Sequence, residues 1–109
     1  MPPQNSAQTA LDLLVLTLLD RRGPLHGYAI ANFIEDLSDE ALKVEEGSLY
    51  PALHRMEEKG WVAAEWTITG SKRRARQYSI TPDGQKQLSS ETQRWAGFSM
   101  GVARVLQQA

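Results

Sequence analysis

A cluster of basic residues gives the clearest sign of chemistry in this 109-residue sequence. Lys72, Arg73, Arg74 and Arg76 are four of the twelve Lys and Arg residues, and residues 69–79 contain no Asp or Glu. Such cations can neutralise phosphates and release counterions, which is the sequence-independent part of DNA affinity. A charged loop that only stays solvated is the alternative. Because the cluster follows a helix suited to base contact, we favour phosphate contact.

That helix is predicted over residues 48–59. Its apolar side is formed by Leu49, Leu53 and Met56, and its polar side by Ser48, Tyr50, His54 and Arg55. Hydroxyl groups can reach phosphates or base edges, and an arginine can bind guanine through two hydrogen bonds. A solvated helix face would also be polar, but an exposed tyrosine in the first turn favours contact with a partner. Glu45 and Glu46 would repel phosphate, or would complement the dipole at the start of the helix.

His26 and Tyr28 lie where the preceding helix is predicted to begin. A residue at a helix N-terminus can contact a phosphate, so both are candidate DNA-binding residues. A half-exposed structural histidine, and a tyrosine whose ring packs at the edge of the core, explain them equally well.

No catalytic or metal-binding arrangement is visible. The sequence has no cysteine, and its two histidines, His26 and His54, are too far apart for a two-histidine metal motif. Neither a nucleophile elbow nor a glycine-rich phosphate loop is present. The acidic pairs at residues 39–40 and 57–58 are typical of solvated charge. We therefore expect no enzyme, no metal and no cofactor.

The predicted elements give the fold class. Helices are expected over residues 9–21, 26–37 and 48–59, the first with a capping box of Thr9 and Asp12. The third is expected to have its cap at Gly47 or Ser48, with Pro51 in its first turn. Strands over residues 61–68 and 77–80 form a hairpin, and a last helix starts at Pro82 after the cap Thr81 and continues to residue 107.

This order predicts a mainly α fold with a small β-hairpin: a winged helix-turn-helix followed by a long C-terminal dimerisation helix. We expect a disordered tail over residues 1–8, a winged helix-turn-helix DNA-binding domain over residues 9–81, and the dimerisation helix over residues 82–109. No signal peptide opens the sequence, and its longest apolar stretch, residues 10–19, is about half a membrane span. The net charge is −1, and we expect a cytoplasmic protein without a membrane partner.

Two helices carry more apolar surface than one small domain can bury. The first is apolar on nearly every face, and the last repeats apolar residues at a/d spacing for about two and a half heptads. The expected dimer interface is therefore Leu11, Leu14, Leu18, Leu88, Trp95, Phe98, Val102 and Val105. Gly97 and Gly101 share one face of the last helix, where they would allow close packing or leave a gap.

Three sequence runs resemble the PadR family of bacterial transcription regulators. They are PLHGYAI at residues 24–30, EEGSLYPALHRME at residues 45–57 and RRARQYSIT at residues 73–81. The resemblance extends over residues 9–106, and the single C-terminal helix is similar to the family's smaller subclass. It implies a homodimeric repressor that binds double-stranded DNA, with the third helix in the major groove and the hairpin on the neighbouring backbone.

The resemblance also implies that Tyr50 and the basic residues of the hairpin contact DNA. Some short members bind flat aromatic compounds between their last helices, which makes Trp95 and Phe98 the candidate effector-binding residues. We therefore expect a sequence-specific repressor that binds an inverted-repeat operator and is relieved by a small aromatic effector. The alternatives are a winged-helix protein-interaction module without DNA binding and a small-molecule sensor whose interface aromatics do the primary work.

Overall fold

Four helices and three strands make up the described residues, 6–109, of the computed structural model. In chain order they are α1 (Ser6–Arg22), β1 (Leu25–His26), α2 (Gly27–Leu37), α3 (Glu46–Glu58), β2 (Val62–Ile68), β3 (Arg74–Ile80) and α4 (Pro82–Gln108). The predicted fold class, a winged helix-turn-helix with a long C-terminal helix, is confirmed. The helix α1 starts at Ser6, so residues 6–8 are helical although they were predicted as tail; residues 1–5 of that tail lie outside the described residues.

The three strands form one antiparallel sheet in the order β1-β3-β2. In the hairpin, Trp66 pairs with Arg76 and Ile68 with Arg74. Side chains alternate between the two faces of a strand, so these four residues share one face of the hairpin. The hairpin is confirmed, although β3 starts three residues earlier than predicted. The two-residue strand β1, which pairs Leu25 with Tyr78, was not predicted.

The core lies where α1 meets the other helices and the base of the hairpin. Its fully buried side chains include Val15, Leu16, Leu19, Ile30, Leu49, Leu53 and Met56. The central helix α1 contacts α2, α3, α4 and β3, so the domain itself covers most of its apolar surface. Leu18 is buried in this core, and Leu11, Leu14 and Leu88 pack against it. Leu18 and Leu88 thus have contacts within the chain, and their place in a dimer interface stays a prediction.

The predicted capping box at Thr9 and Asp12 is also wrong. Both residues lie inside α1, which begins at Ser6, so Thr9 cannot be its cap. The carboxylate of Asp12 is buried and accepts hydrogen bonds from Arg55 on α3. The spacing that resembled a cap instead places a negative charge against a neighbouring helix.

The helix α3 begins earlier than predicted. Its N-cap is Glu45, whose backbone is extended (φ −83°, ψ 149°) and whose side chain makes no capping hydrogen bond. The cap predicted at Gly47 or Ser48 is therefore wrong, and Pro51 lies in the second turn and not in the first. A proline there leaves the carbonyl of Gly47 without its helical donor, and because Gly47 is exposed, water can supply one.

The predicted start of α4 is confirmed. The Thr81 hydroxyl oxygen accepts a hydrogen bond from the Gly84 N–H (3.0 Å), and the same hydroxyl is 2.6 Å from the carbonyl oxygen of Gly60. Pro82 occupies the first turn. The helix is about 40 Å long at 1.5 Å per residue, and every residue from 92 onward is exposed. Within residues 6–109, no helix is both long and apolar enough to cross a membrane.

Candidate nucleic-acid interface

The helix α3 presents a polar face to solvent. Leu49, Leu53 and Met56 are completely buried on its inner side, as predicted. On the outer side Ser48, Tyr50 and His54 are exposed. His54 Nε2 lies 3.4 Å from Glu58 Oε1 one turn along the helix, and both side chains are exposed. Exposed pairs of this kind are weak, so His54 can exchange Glu58 for another partner.

Arg55 is the exception on this helix. Its Nη1 donates to Oδ2 of Asp12 (2.9 Å) and its Nη2 to Oδ1 (2.8 Å), in a two-pronged ion pair between α3 and α1. The Asp12 side chain is only 10% exposed and that of Arg55 is 25% exposed. The hydrogen bonds that Arg55 donates to Asp12 raise the pKa of Arg55 above its usual value. Because its guanidinium group satisfies a buried carboxylate, Arg55 joins two helices, and its contact with guanine stays a prediction.

Tyr50 lies where α3 meets the start of α2. A Cβ atom built on Gly27 would be 2.8 Å from Tyr50 Cε1 and 2.9 Å from its hydroxyl oxygen, so Gly27 makes room for the ring. Burial, and then the nearby charge of Glu46, raises the pKa of Tyr50. The phenol is therefore protonated at neutral pH and can donate a hydrogen bond from a surface that remains 41% exposed.

His26 connects the start of α2 to the hairpin. Its Nε2 is 2.6 Å from Oγ1 of Thr67 on β2, and its ring stacks on that of Tyr28 at 5.6 Å with an interplanar angle of 8°. This contact gives His26 a partner on the hairpin, and its contact with DNA stays a prediction. Tyr28 remains exposed beside it.

The tip of the hairpin presents three exposed cations: Lys72, Arg73 and Arg74. The turn is held by hydrogen bonds from the Thr69 N–H to the Arg73 carbonyl (2.8 Å) and from the Lys72 N–H to the Thr69 carbonyl (2.9 Å). Lys72 has a left-handed backbone conformation (φ 62°), which is unusual for a residue other than glycine. Residues 69–79, which include this turn and its three exposed cations, contain no Asp or Glu.

Arg76 does not belong to that exposed group. Its Nη2 donates to Oε2 of Glu57 on α3 (2.7 Å), and its guanidinium carbon is 5.9 Å from the ring centroid of Trp66 and 5.8 Å from that of Tyr78. The hydrogen bond that Arg76 donates to Glu57 raises the pKa of Arg76. Arg76 therefore fastens the hairpin to α3, and its contact with DNA stays a prediction.

Two residues of this surface were missed by the sequence analysis. Thr67 is the partner of His26, and Trp66 is an exposed tryptophan whose ring centroid is 4.9 Å from the guanidinium carbon of Arg74. The alternation along β2 contains the signal for Trp66. Val62 and Ala64 lie on the same face and cover the core, so Trp66 continues that face beyond the end of the core.

The C-terminal half of α4 presents an apolar surface without a partner in the chain. Trp95 and Phe98 lie with their ring centroids 5.7 Å apart, and Phe98, Val102 and Val105 line a groove of about 720 Å³ beside Gly97 and Gly101. Nothing lies within 4 Å of a Cβ built on either glycine. The predicted seam is thus exposed from Trp95 onward, whereas its first member, Leu88, packs on the core.

One charged residue interrupts the apolar seam. Glu91 occupies the position between Leu88 and Trp95 and is buried, although the heptad spacing calls for an apolar side chain there. Its Oε1 accepts hydrogen bonds from Gln87 Nε2 (2.7 Å) and Arg94 Nη1 (3.4 Å). Both donors reach the same oxygen, and the other oxygen, Oε2, is buried without a hydrogen-bond partner among the described residues.

Comparison with known proteins identifies the family. Residues 15–90 match the model of the "Transcriptional regulator PadR-like family". Over 78 residues the chain is 28% identical to the negative transcriptional regulator PadR of Bacillus subtilis, covering 72% of this chain and 42% of that protein. The chain thus spans under half the length of this relative.

Solved structures agree. A transcriptional regulator from Clostridium thermocellum superposes with a TM-score of 0.82 at 27% identity, covering 93% of this chain and 97% of the other. Bacillus subtilis PadR in complex with operator DNA superposes with a TM-score of 0.65 at 28% identity, covering 73% and 45%. Members of the matching family are transcriptional regulators and not enzymes, as expected for this chain. The chain belongs to the PadR-like family of transcriptional regulators.

Proposed function

We propose that this chain is a sequence-specific DNA-binding repressor that binds an inverted-repeat operator as a homodimer. The observation that carries the proposal is the group of exposed cations Lys72, Arg73 and Arg74 beside the polar face of α3. The hairpin that bears them is fastened to α3 by the ion pair of Arg76 and Glu57. The names of the relatives support it, since Bacillus subtilis PadR is a negative regulator and has been solved with operator DNA.

In this proposal the two elements have different tasks. Ser48, Tyr50 and His54 on α3 contact base edges in the major groove, where hydrogen-bond patterns distinguish all four base pairs. The hairpin cations bind phosphates, which position the protein but carry no sequence information. His26 and Tyr28, at the start of α2, lie near Tyr50 and are proposed as secondary contacts with the DNA backbone.

Dimerisation is proposed from the apolar surface of α4. Trp95, Phe98, Val102 and Val105 are all exposed in the single chain, and a second copy of α4 would cover them. Leu11 and Leu14 on α1, which are half-buried, would extend this interface. A two-fold dimer places two copies of α3 about 34 Å apart, or a multiple of that distance, which matches half-sites one or more helical turns apart.

We also propose that this surface of α4 binds a small aromatic effector, which relieves repression. Phe98 lines the 720 Å³ groove and its ring lies 5.7 Å from that of Trp95, and aromatic rings bind flat ligands by stacking. A panel of aromatic cations and phenolic acids tests this proposal through quenching of tryptophan fluorescence. Quenching that is lost in Trp95→Phe is the expected result, and a panel without quenching or thermal shift would refute the effector.

The test of DNA binding is a salt titration. Fluorescence anisotropy would be measured with a random 30-base-pair duplex and with DNA from upstream of the protein's own gene. Arg74→Ala should weaken binding to both and reduce the slope of log K against log salt by about one per subunit. The matched control is Lys86→Ala, which removes an exposed cation from α4, and it should leave the slope unchanged. If the wild type binds neither duplex at low salt, the result favours the alternative, a winged-helix protein-interaction module without DNA binding.

A further inference from the structure

The first turn of α3 carries a carboxylate that the proposed DNA contacts leave unexplained. Glu46 is the acidic residue of that turn, and its side chain is exposed. It precedes Tyr50 by four residues, so the two side chains are neighbours on one side of the helix. The charge of Glu46 is close enough to contribute to the raised pKa of Tyr50, after burial. Glu46 therefore belongs to the same solvent-facing surface as the proposed base contacts.

The other charged side chains of α3 have partners within the chain. Arg55 and Glu57 form ion pairs with α1 and with the hairpin, and Glu58 Oε1 lies 3.4 Å from His54 Nε2. The carboxylate of Glu46, by contrast, has no ion pair or hydrogen bond with any residue in the part of the chain that the structure describes. The helix that is proposed to read DNA thus presents an unpaired negative charge.

A carboxylate on a surface that meets DNA lowers affinity unless it finds a hydrogen-bond donor, because phosphates repel it. On the base edges of the major groove the donors are the N4 amino group of cytosine and the N6 amino group of adenine. Adenine places its N7 acceptor beside N6, and this acceptor repels a carboxylate. Cytosine itself has no acceptor beside N4. A carboxylate in the major groove therefore favours cytosine.

We propose that Glu46 reads a cytosine in the major groove by accepting a hydrogen bond from its N4 amino group. This inference rests on the proposed function and adds to it a residue that selects sequence by repulsion as well as by attraction. In helix-turn-helix proteins the N-terminal residues of the recognition helix contact base edges, and Glu46 lies in the first turn. The next residue, Gly47, is exposed and has no side chain, so this end of α3 can approach the bases closely.

The experiment selects DNA from a library of 30-base-pair duplexes with randomised sequence. Bound duplexes would be sequenced for the wild type, Glu46→Gln and Glu45→Gln. Glutamine replaces the carboxylate by an amide of the same size, which can bind adenine through N6 and N7. Glu45→Gln is the matched control, since it removes the same charge from the neighbouring residue, whose side chain makes no capping hydrogen bond. Urea unfolding would measure the stability of each variant.

The wild type should enrich an inverted repeat with a fixed cytosine in each half-site, and Glu46→Gln should enrich the same motif with adenine at that position. In anisotropy titrations the wild type should bind the cytosine duplex about tenfold more tightly than the adenine duplex, and Glu46→Gln should reverse this order. Glu45→Gln should keep the cytosine. Both variants should bind a random duplex more tightly than the wild type does, because each removes a charge that phosphates repel.

Other results would overturn the inference in recognisable ways. An unchanged motif for Glu46→Gln would exclude the base contact while leaving the proposed DNA binding intact. If Glu46→Gln is less stable in urea and loses preference at every position, then Glu46 only stabilises α3. A cytosine that also disappears in Glu45→Gln would show that the charge of the helix end sets the preference. If the wild type enriches no motif, the proposed sequence-specific binding is refuted as well.

Discussion

Replacing Arg55 by methionine tests whether this residue supports the fold or reads DNA. The substitution keeps much of the side-chain volume but leaves the Asp12 carboxylate, 10% exposed, without the two hydrogen bonds of 2.8 and 2.9 Å that it now accepts. Removing one partner of a fully buried ion pair costs about 3–5 kcal/mol. Since the Arg55 side chain is 25% exposed, solvent screening reduces this, and we expect a loss of about 2–3 kcal/mol in the free energy of unfolding.

Replacing the other partner of the ion pair, Asp12, should lower the free energy of unfolding by less. In Asp12→Leu the guanidinium group loses its carboxylate, but its exposed side can turn to water, so we expect a loss of about 1 kcal/mol. The double variant should be more stable than the sum of the two losses implies, because neither charge is then left unpaired. A coupling energy of about 1–2 kcal/mol is expected from this double-mutant cycle.

The assay is urea unfolding followed by circular dichroism, at one fixed protein concentration because dimerisation would shift the midpoint. DNA affinity of each variant would be measured in parallel under conditions where it is folded. The reasoning predicts a large stability loss for Arg55→Met with an unchanged preference among duplex sequences. A variant as stable as the wild type that has lost sequence preference would refute it and restore Arg55 as a base-reading residue.

Three further outcomes are expected. A Cβ at Gly84 would overlap the backbone carbonyl oxygen of Trp61, so Gly84→Ala should lower stability by about 3 kcal/mol in urea unfolding. In the single chain Gly97→Ala adds a methyl group in open space and should raise the stability of α4 by about 1 kcal/mol; a loss instead would indicate the second copy of α4 that we propose to cover this groove. Burial raises the pKa of Tyr78 above its ordinary 10.0, so the unfolded chain ionises first and stability should fall as pH rises above about 10. Tyr78→Phe should show a smaller fall over that range, and an identical pH profile would contradict the shift.

The sequence was sufficient for the order and type of most elements because their signals are local. The change from helical to alternating periodicity marks β2 and β3, and Thr81 followed by Pro82 marks the start of α4. The strand β1 escaped prediction because two residues, Leu25 and His26, carry no period, and they become a strand only by pairing with β3. The start of α3 was misplaced because Glu45 caps it through its backbone alone, without a side-chain signature.

The sequence predicts which polar residues of the candidate site are exposed. It does not predict which of them already bind another residue of the chain. Ser48, Tyr50 and His54 are exposed, because helical periodicity determines which side of α3 faces solvent. Arg55 lies near the same side, and its partner Asp12 is 43 residues away in sequence. Likewise, nothing adjacent to Arg76 in the sequence indicates that Glu57 binds it. Which cations are engaged within the chain depends on tertiary contacts, and these decide which ones a partner can use.

The hairpin is held from both of its faces. On one face Arg76 binds Glu57 of α3, and on the other His26, at the start of α2, binds Thr67. For a protein that binds DNA as we propose, these two contacts restrict the angle between the hairpin and α3. Little conformational entropy is lost when the hairpin meets the duplex, and little adjustment is available to it. The DNA then has to deform to fit the hairpin. Operators would therefore also be selected by how easily the base steps that the protein does not contact bend and twist.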